Sequence, residues 1–214
     1  MQLIAIDGPG GSGKSTVSKA LAGKLGLQRL DTGAMYRAVA LLAVRMEVDL
    51  HDGELLGQIA REMQLEMDET VILDGEDVSR EIRSEAVDSS VSLVARQPEV
   101  RTELVRRQRE WATKHAGGVI EGRDIGSVVF PAATLKVYLT ASASERARRR
   151  ALQSAAMANV DSTVIQATGR SIARRDEIDS TRDTSPLLVA DGAIVIDSTR
   201  YTPDEVVDQI VAML

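Results

Sequence analysis

The chain has 214 residues, 43% of them hydrophobic and 2% aromatic, which is enough for one aliphatic-cored domain. A formal net charge of −6 argues against general binding of nucleic-acid polymers, which needs basic charge to displace counterions. Without cysteine there is no disulfide scaffold, zinc–thiolate site or thiol nucleophile, and two isolated histidines, His51 and His115, make a histidine-rich metal site a poor reading.

Leu3 to Ile6 is a short apolar run without a basic flank, so it reads as a first strand rather than a signal peptide. No apolar run reaches the ~20 residues of a membrane crossing, and a cytoplasmic location is expected. The run ends at Gly8-Pro9-Gly10-Gly11-Ser12-Gly13-Lys14-Ser15-Thr16. A helix is expected from Gly13 to about Leu25, with Val17, Leu21 and Leu25 on one face and Gly26 as its stop. Asp31-Thr32-Gly33 breaks the next segment, and a helix with Met35, Val39 and Leu42 follows. Residues 52–62 also have a helical pattern. Leu65-Glu66-Met67 and Val71-Ile72-Leu73 flank Asp68-Glu69-Thr70, and Asp74-Gly75 is a hairpin signal, so a small antiparallel insert is expected.

Helical patterns return over 84–95 and 98–116, the second starting at Pro98. Gly117 to Glu121 and Leu135 to Leu139 read as core strands. Ser142-Ala143-Ser144-Glu145 has capping-box spacing ahead of another helix. Residues 151–169 are rich in Ala, Ser and Thr, weakly periodic, and suit a flap better than a core element. Ala193 to Asp197 reads as a strand, and Thr202-Pro203-Asp204-Glu205 starts the last helix with a second capping box. Trp111, Phe130, Met35 and Met63 read as core packers. Apolar strands alternating with helices predict an α/β fold with a mostly parallel central sheet covered by helices.

Gly8-x-x-x-x-Gly13-Lys14-Ser15 has the spacing of a phosphate-binding P-loop. Its glycines let backbone N–H groups close around an anion, and the helix beginning there adds its positive end. Lys14 is expected to reach the β- and γ-phosphates of ATP, and the Ser15 hydroxyl to ligate Mg²⁺. The remaining loop residues, Gly8 to Thr16, complete the ATP cradle. A P-loop alone does not name the reaction. No Asn-Lys-x-Asp segment supports a GTPase, and Val119-Ile120-Glu121 is too short to mark a larger motor ATPase. Size and the two interruptions suit a small-molecule kinase whose flaps exclude water.

The basic residues comprise 21 Arg and 5 Lys, and Arg pairs bidentately with phosphate. Arg37 follows Asp-Thr-Gly on a helix, and Arg123 lies just past a strand end, where ligands of open α/β sheets gather. Arg146, Arg149 and Arg150 share a helix face at i, i+3 and i+4. That face is either phosphate-facing or solvated, and spacing alone leaves both open.

Ile6-Asp7-Gly8-Pro9, Asp31-Thr32-Gly33-Ala34-Met35-Tyr36-Arg37, Asp74-Gly75-Glu76-Asp77-Val78, Glu81-Ile82-Arg83 and Glu121-Gly122-Arg123-Asp124-Ile125-Gly126-Ser127-Val128-Val129-Phe130-Pro131 occur in this order. Further matching segments are Glu145-Arg146-Ala147, Arg149-Arg150, Arg175-Asp176 through Arg182, and Ser185-Pro186-Leu187. Over nearly the whole chain the sequence resembles the bacterial cytidylate kinases, a CMP/dCMP kinase family of the P-loop nucleoside monophosphate kinases. Gly10 and Glu121 are modest departures, standing where many members carry Ser and some carry Asp.

The resemblance implies one P-loop kinase domain over 1–214, with an NMP-binding insert at about 37–100 and a helical lid at about 149–170. It implies phosphoryl transfer from ATP to CMP and dCMP by a cytoplasmic monomer needing Mg²⁺, with no membrane or nucleic-acid partner. Thr32, Arg37, Arg123 and Arg175 fall where the family surrounds the monophosphate, with Arg123 and Arg175 beside Lys14 in the catalytic set. Ser92, Arg101 and Asp124 fall where it reads cytosine, and Asp179 and Arg182 where it meets the sugar. Arg146, Arg149 and Arg150 fall in the lid over the donor. Chemically, Asp124 can accept from the cytosine amino group while Arg101 and Ser92 donate to its acceptors. The alternative reading of Asp124 is an Arg-paired residue that stabilises its loop, and one side chain can do both jobs.

Overall fold

A computed structural model describes residues 2–154, 161–182 and 184–214. The chain forms two compact units, one of Met1–Arg29 with Gly117–Leu214, the other of Leu30–Ala116.

In the first unit, strand β1 (Gln2–Asp7) leads through the glycine loop into helix α1 (Lys14–Leu25). Gly26, in the left-handed region, stops α1 by donating to the carbonyls of Ala22 and Gly23. Strand β2 (Arg29–Asp31) carries the chain across the unit boundary. The chain returns in β6 (Gly117–Gly122), a π-type turn over Ile125–Val129, β7 (Leu135–Thr140), helices α6 (Ala143–Ser154) and α7 (Ser162–Ser180), β8 (Ile194–Asp197) and α8 (Pro203–Val211). The sheet order is β2-β6-β1-β7-β8, and β1–β6, β1–β7 and β7–β8 pair in parallel. Ile4, Ile6, Val119, Val137, Leu139 and Ile196 form one apolar layer of the sheet, packed with Val17 and Leu21 of α1 and Val206, Val207 and Ile210 of α8. Parallel pairing sets the ends of β1 and β6 side by side, Asp7 opposite Gly122, so the turns leaving both strands issue from one edge of the sheet.

The second unit holds α2 (Thr32–Arg45), α3 (Gly53–Glu62), the antiparallel strands β3 (Leu65–Met67), β4 (Val71–Leu73) and β5 (Glu76–Asp77), then α4 (Glu85–Val94) and α5 (Pro98–Lys114). Asp31 caps α2 by accepting from the Ala34 N–H. Asp74 and Gly75, with φ of 50° and 86°, make the turn that pairs Leu73 with Glu76.

The α/β class, parallel sheet and small antiparallel insert agree with the sequence reading. The stretch expected as a helical lid is helical on its C-terminal side: α7 starts at an Asp161 cap and runs through Gly169, whose missing side chain admits the Ala147 methyl of α6. Residues 155–160 of that stretch lie outside those described. Two other local expectations fail for identifiable reasons. At Ser142 only half a capping box forms. Its hydroxyl accepts from Glu145 N–H, but the Glu145 carboxylate binds Arg148 and Arg149, and Ser142 N–H donates to Thr199 Oγ1. The box at Thr202 and Glu205 is complete. Met35 and Met63 are core residues, but Trp111 and Phe130 are half-buried, Trp111 stacking on His115 at 4.4 Å between ring centroids.

Candidate active site

At Gly8 and Gly11 the loop backbone leaves no room for a side chain. A Cβ on Gly8 (φ +149°) would lie 2.0 Å from the Leu139 carbonyl oxygen, and one on Gly11 (φ +76°) 2.6 Å from that of Arg146. The first N–H groups of α1, at Lys14 and Ser15, have no intrahelical acceptor. The buried Ser12 hydroxyl has no hydrogen-bond partner among the described residues. Orphaned donors around a tightly folded glycine loop fit a polyphosphate.

Lys14 is buried and folded back on the loop, its Nζ donating to Gly8 O at 2.8 Å and Pro9 O at 2.9 Å. Burial, aided by the Arg123 charge, pushes its ammonium down to about 7, against the pull of Glu121, Asp7 and Asp176. An arriving phosphate would supply the counter-charge that three distant carboxylates supply only in part. Asp7, at the end of β1, accepts from Ile125 N–H at 2.8 Å and Gly126 N–H at 2.7 Å, tying the π-type turn to the loop. Burial pushes its carboxyl up to about 6, and Asp124 at the head of that turn adds repulsion.

Ser15 donates to Glu121 Oε2 at 2.9 Å, and Ser18 to Glu121 Oε1 at 2.9 Å, while Arg29 approaches Oε1 to 3.4 Å. A hydroxyl beside a buried carboxylate is an oxygen set suited to Mg²⁺, which takes one or two protein ligands and otherwise waters and phosphates. Glu121 is a residue that the short Val-Ile-Glu pattern undersold: β6 runs to Gly122 and is buried throughout, so its acidic end is a true strand end beside β1. Replacing Glu121 with Gln should weaken Mg²⁺ binding by about 10–100-fold, as loss of a supporting carboxylate does elsewhere. Mg²⁺ titration of activity at fixed nucleotide checks this.

The basic residues of the first unit converge on the same loop. Arg123 donates to Gly8 O at 2.9 Å and, from Nε, to Asp179 Oδ2 at 3.0 Å. Burial works against its charge, but Asp179, Asp176 and Asp7 outweigh it and hold the guanidinium charged. Arg146 donates to Gly10 O at 3.1 Å and pairs with Asp176. Arg149 is fixed by Glu145 and by Ser198, whose hydroxyl reaches Ser12 O at 3.0 Å. Arg150 bonds Gln153 on its own helix at 3.2 Å. Arg146 and Arg149 therefore both contact the loop, whose last residue, Thr16, is exposed on α1. Arg182 is buried, donating to Ser185 O at 2.7 Å with Asp179 3.9 Å away; Asp124 is buried and Arg175 half-buried. Asp7, Asp176 and Ser198 were not distinguishable from structural residues in the sequence. Their one signal is position, at a strand end or beside an arginine in a matched segment.

In the second unit Thr32 opens α2, and Arg37, one turn on, is buried with Nη1 donating to Ile82 O at 2.8 Å and Nη2 2.6 Å from Asp88. Ser92 is buried on α4. Arg101 is buried on α5 with its guanidinium 5.7 Å from the Tyr36 ring centroid.

A strand, an anion-collecting loop and a helix at the head of a parallel sheet, with lysine and arginines turned to the loop, define a P-loop kinase. The model of the family described as Cytidylate kinase matches residues 4–214. A cytidylate kinase of Caldanaerobacter subterraneus subsp. tengcongensis is 48% identical over 97% of this chain and 92% of its own length. One of Pelotomaculum thermopropionicum is 50% identical over 98% and 94%. A solved structure of an uncharacterized protein from Eubacterium ventriosum covers all of this chain and 98% of its own at 14% identity and a TM-score of 0.51, a likeness of fold alone. The chain belongs to the cytidylate kinase family. Among the described residues no helix is long and apolar enough to cross a membrane.

Proposed function

We propose that this chain transfers the γ-phosphoryl group of ATP to CMP and dCMP, giving ADP and CDP or dCDP, as a cytoplasmic monomer. The observation that carries the reading is the match to the cytidylate kinase family across residues 4–214, with the phosphate loop intact. Lys14 and the loop N–H groups would bind the donor phosphates, with Arg146 and Arg149 from α6 above them and Arg150 following in the lid. Ser15, supported by Glu121, would hold Mg²⁺, which screens phosphate charge when bound. Arg123, Arg175 and Arg182, and in the other unit Thr32 and Arg37, are assigned to acceptor phosphate and sugar, together with Asp179. No general base is required, because the attacking phosphate oxygen is already anionic; positioning and fixed charge do the work.

Cytosine is assigned to Asp124, Ser92 and Arg101. An ionised Asp124 accepts from the N4 amino group, whereas uracil would place its O4 carbonyl there and leave two acceptors face to face. An acceptor panel with product identification tests the function: CDP and dCDP should form from ATP far faster than UDP, and equal rates with UMP would refute the cytosine assignment. Replacing Asp124 with Asn should cut the preference for CMP over UMP by about tenfold or more, since an amide can donate to O4. Undiminished preference would leave Asp124 as a brace for its loop.

A further inference from the structure

Helix α7 brings a carboxylate to the phosphate loop. Asp176 Oδ1 accepts the Gly10 N–H at 3.1 Å, and Oδ2 pairs with Arg146 Nη1, which also donates to Gly10 O at 3.1 Å. The two side chains are only 14% and 17% exposed, so water screens the pair weakly. One helical turn on, Asp179 engages Arg123, itself bonded to Gly8 O. A loop amide and a guanidinium are the donors that a phosphate oxyanion seeks, and here a carboxylate already holds both.

We infer that Asp176 is an internal anion that occupies part of the donor-phosphate seat, sets donor affinity, and leaves Gly10 and Arg146 when the polyphosphate binds. The inference rests on the donor-site reading above. A carboxylate held beside a polyphosphate repels it, so the nucleotide gains the Gly10 and Arg146 donors only by displacing Asp176. Net affinity is therefore the difference between the holds of two anions on the same groups. Without nucleotide the pair keeps Arg146 and the loop in their binding arrangement. The competing role is a permanent brace, in which Asp176 keeps its bonds throughout and improves donor binding.

Calorimetric titration with MgADP and with inorganic tripolyphosphate separates the two. Asp176→Asn should bind each at least about fivefold more tightly than the unsubstituted protein, and the gain should shrink below about twofold in an Arg146→Ala background. Glu177→Gln, which removes an exposed neighbouring charge, should stay within about twofold, separating seat competition from a general field. Unchanged or weaker binding by folded Asp176→Asn overturns the inference, even while the unsubstituted protein binds both ligands. Failure of that protein to bind either would overturn the donor-site reading and this inference together. A crystal structure of the unsubstituted protein with MgADP needs no variant: the Gly10 N–H should have left Asp176, and a retained bond overturns the inference.

Discussion

Replacing Lys14 with Ala is expected to lower kcat by about 10²–10³-fold, the cost of removing one preorganised donor from developing charge. Thermal stability should hardly fall. The substitution takes a donor from the Pro9 carbonyl and one from the Gly8 carbonyl, which keeps Arg123, but it also removes an ammonium that burial disfavours and pushes down to about 7. Between about pH 7 and the 10.5 of the ordinary side chain, the unfolded chain holds a proton that the folded, nucleotide-free chain has released. This group therefore favours folding increasingly as pH rises through that window, and its full penalty applies below it. Phosphate charge restores the ammonium, so MgADP binding should take up close to one proton at about pH 8.5. Calorimetry in buffers of different ionisation enthalpy measures that proton, and in Lys14→Ala the uptake should vanish. Wild-type turnover in the variant, or uptake that survives the substitution, would remove Lys14 from its role.

Much of this arrangement is visible in the sequence because it is local. The loop follows from its glycine spacing, the strands of the parallel sheet from short apolar runs, and the Asp74-Gly75 turn from a dipeptide that tolerates positive φ. The helix α7 is hidden because its periodicity is weak: one face meets α6, and it ends among polar groups serving the loop rather than in an apolar core. The edge strand β2 and the strand β5 are too short to carry an alternating pattern.

The acidic partners are hidden for a different reason. Glu121 meets Ser15, Asp176 meets Gly10, and Asp179 meets Arg123 across long stretches of chain, and no local spacing encodes those meetings. Arg123, Arg146 and Arg149, counted from the sequence as phosphate ligands, are in the folded chain already partnered by carboxylates. Arg37 with Asp88 repeats the pattern within the second unit. Unpaired cations gathered at such sites would repel one another, so paired acids are the physical condition for gathering this much positive charge.

Arg123 joins those two roles, and replacing it with Ala should therefore damage folding and turnover together. Removing the guanidinium leaves the buried Asp179 carboxylate with Arg182 at 3.9 Å and takes one of its two side-chain donors from the Gly8 carbonyl, which keeps Lys14. Breaking one side of a buried ion pair costs about 3–5 kcal/mol, which for a chain of this size lowers Tm on the order of 10 °C. If Arg123 holds the acceptor phosphate as proposed, its loss should further reduce kcat/KM by at least about 10²-fold at a temperature where the variant is folded. Arg123→Lys separates the effects. Its single ammonium can satisfy Asp179 or Gly8 but lacks the planar fork that serves both. It should recover most of the Tm and little of the turnover. Recovery of both would reduce Arg123 to a charge that any cation could supply, and a Tm loss with normal kinetics would confine it to bracing the loop.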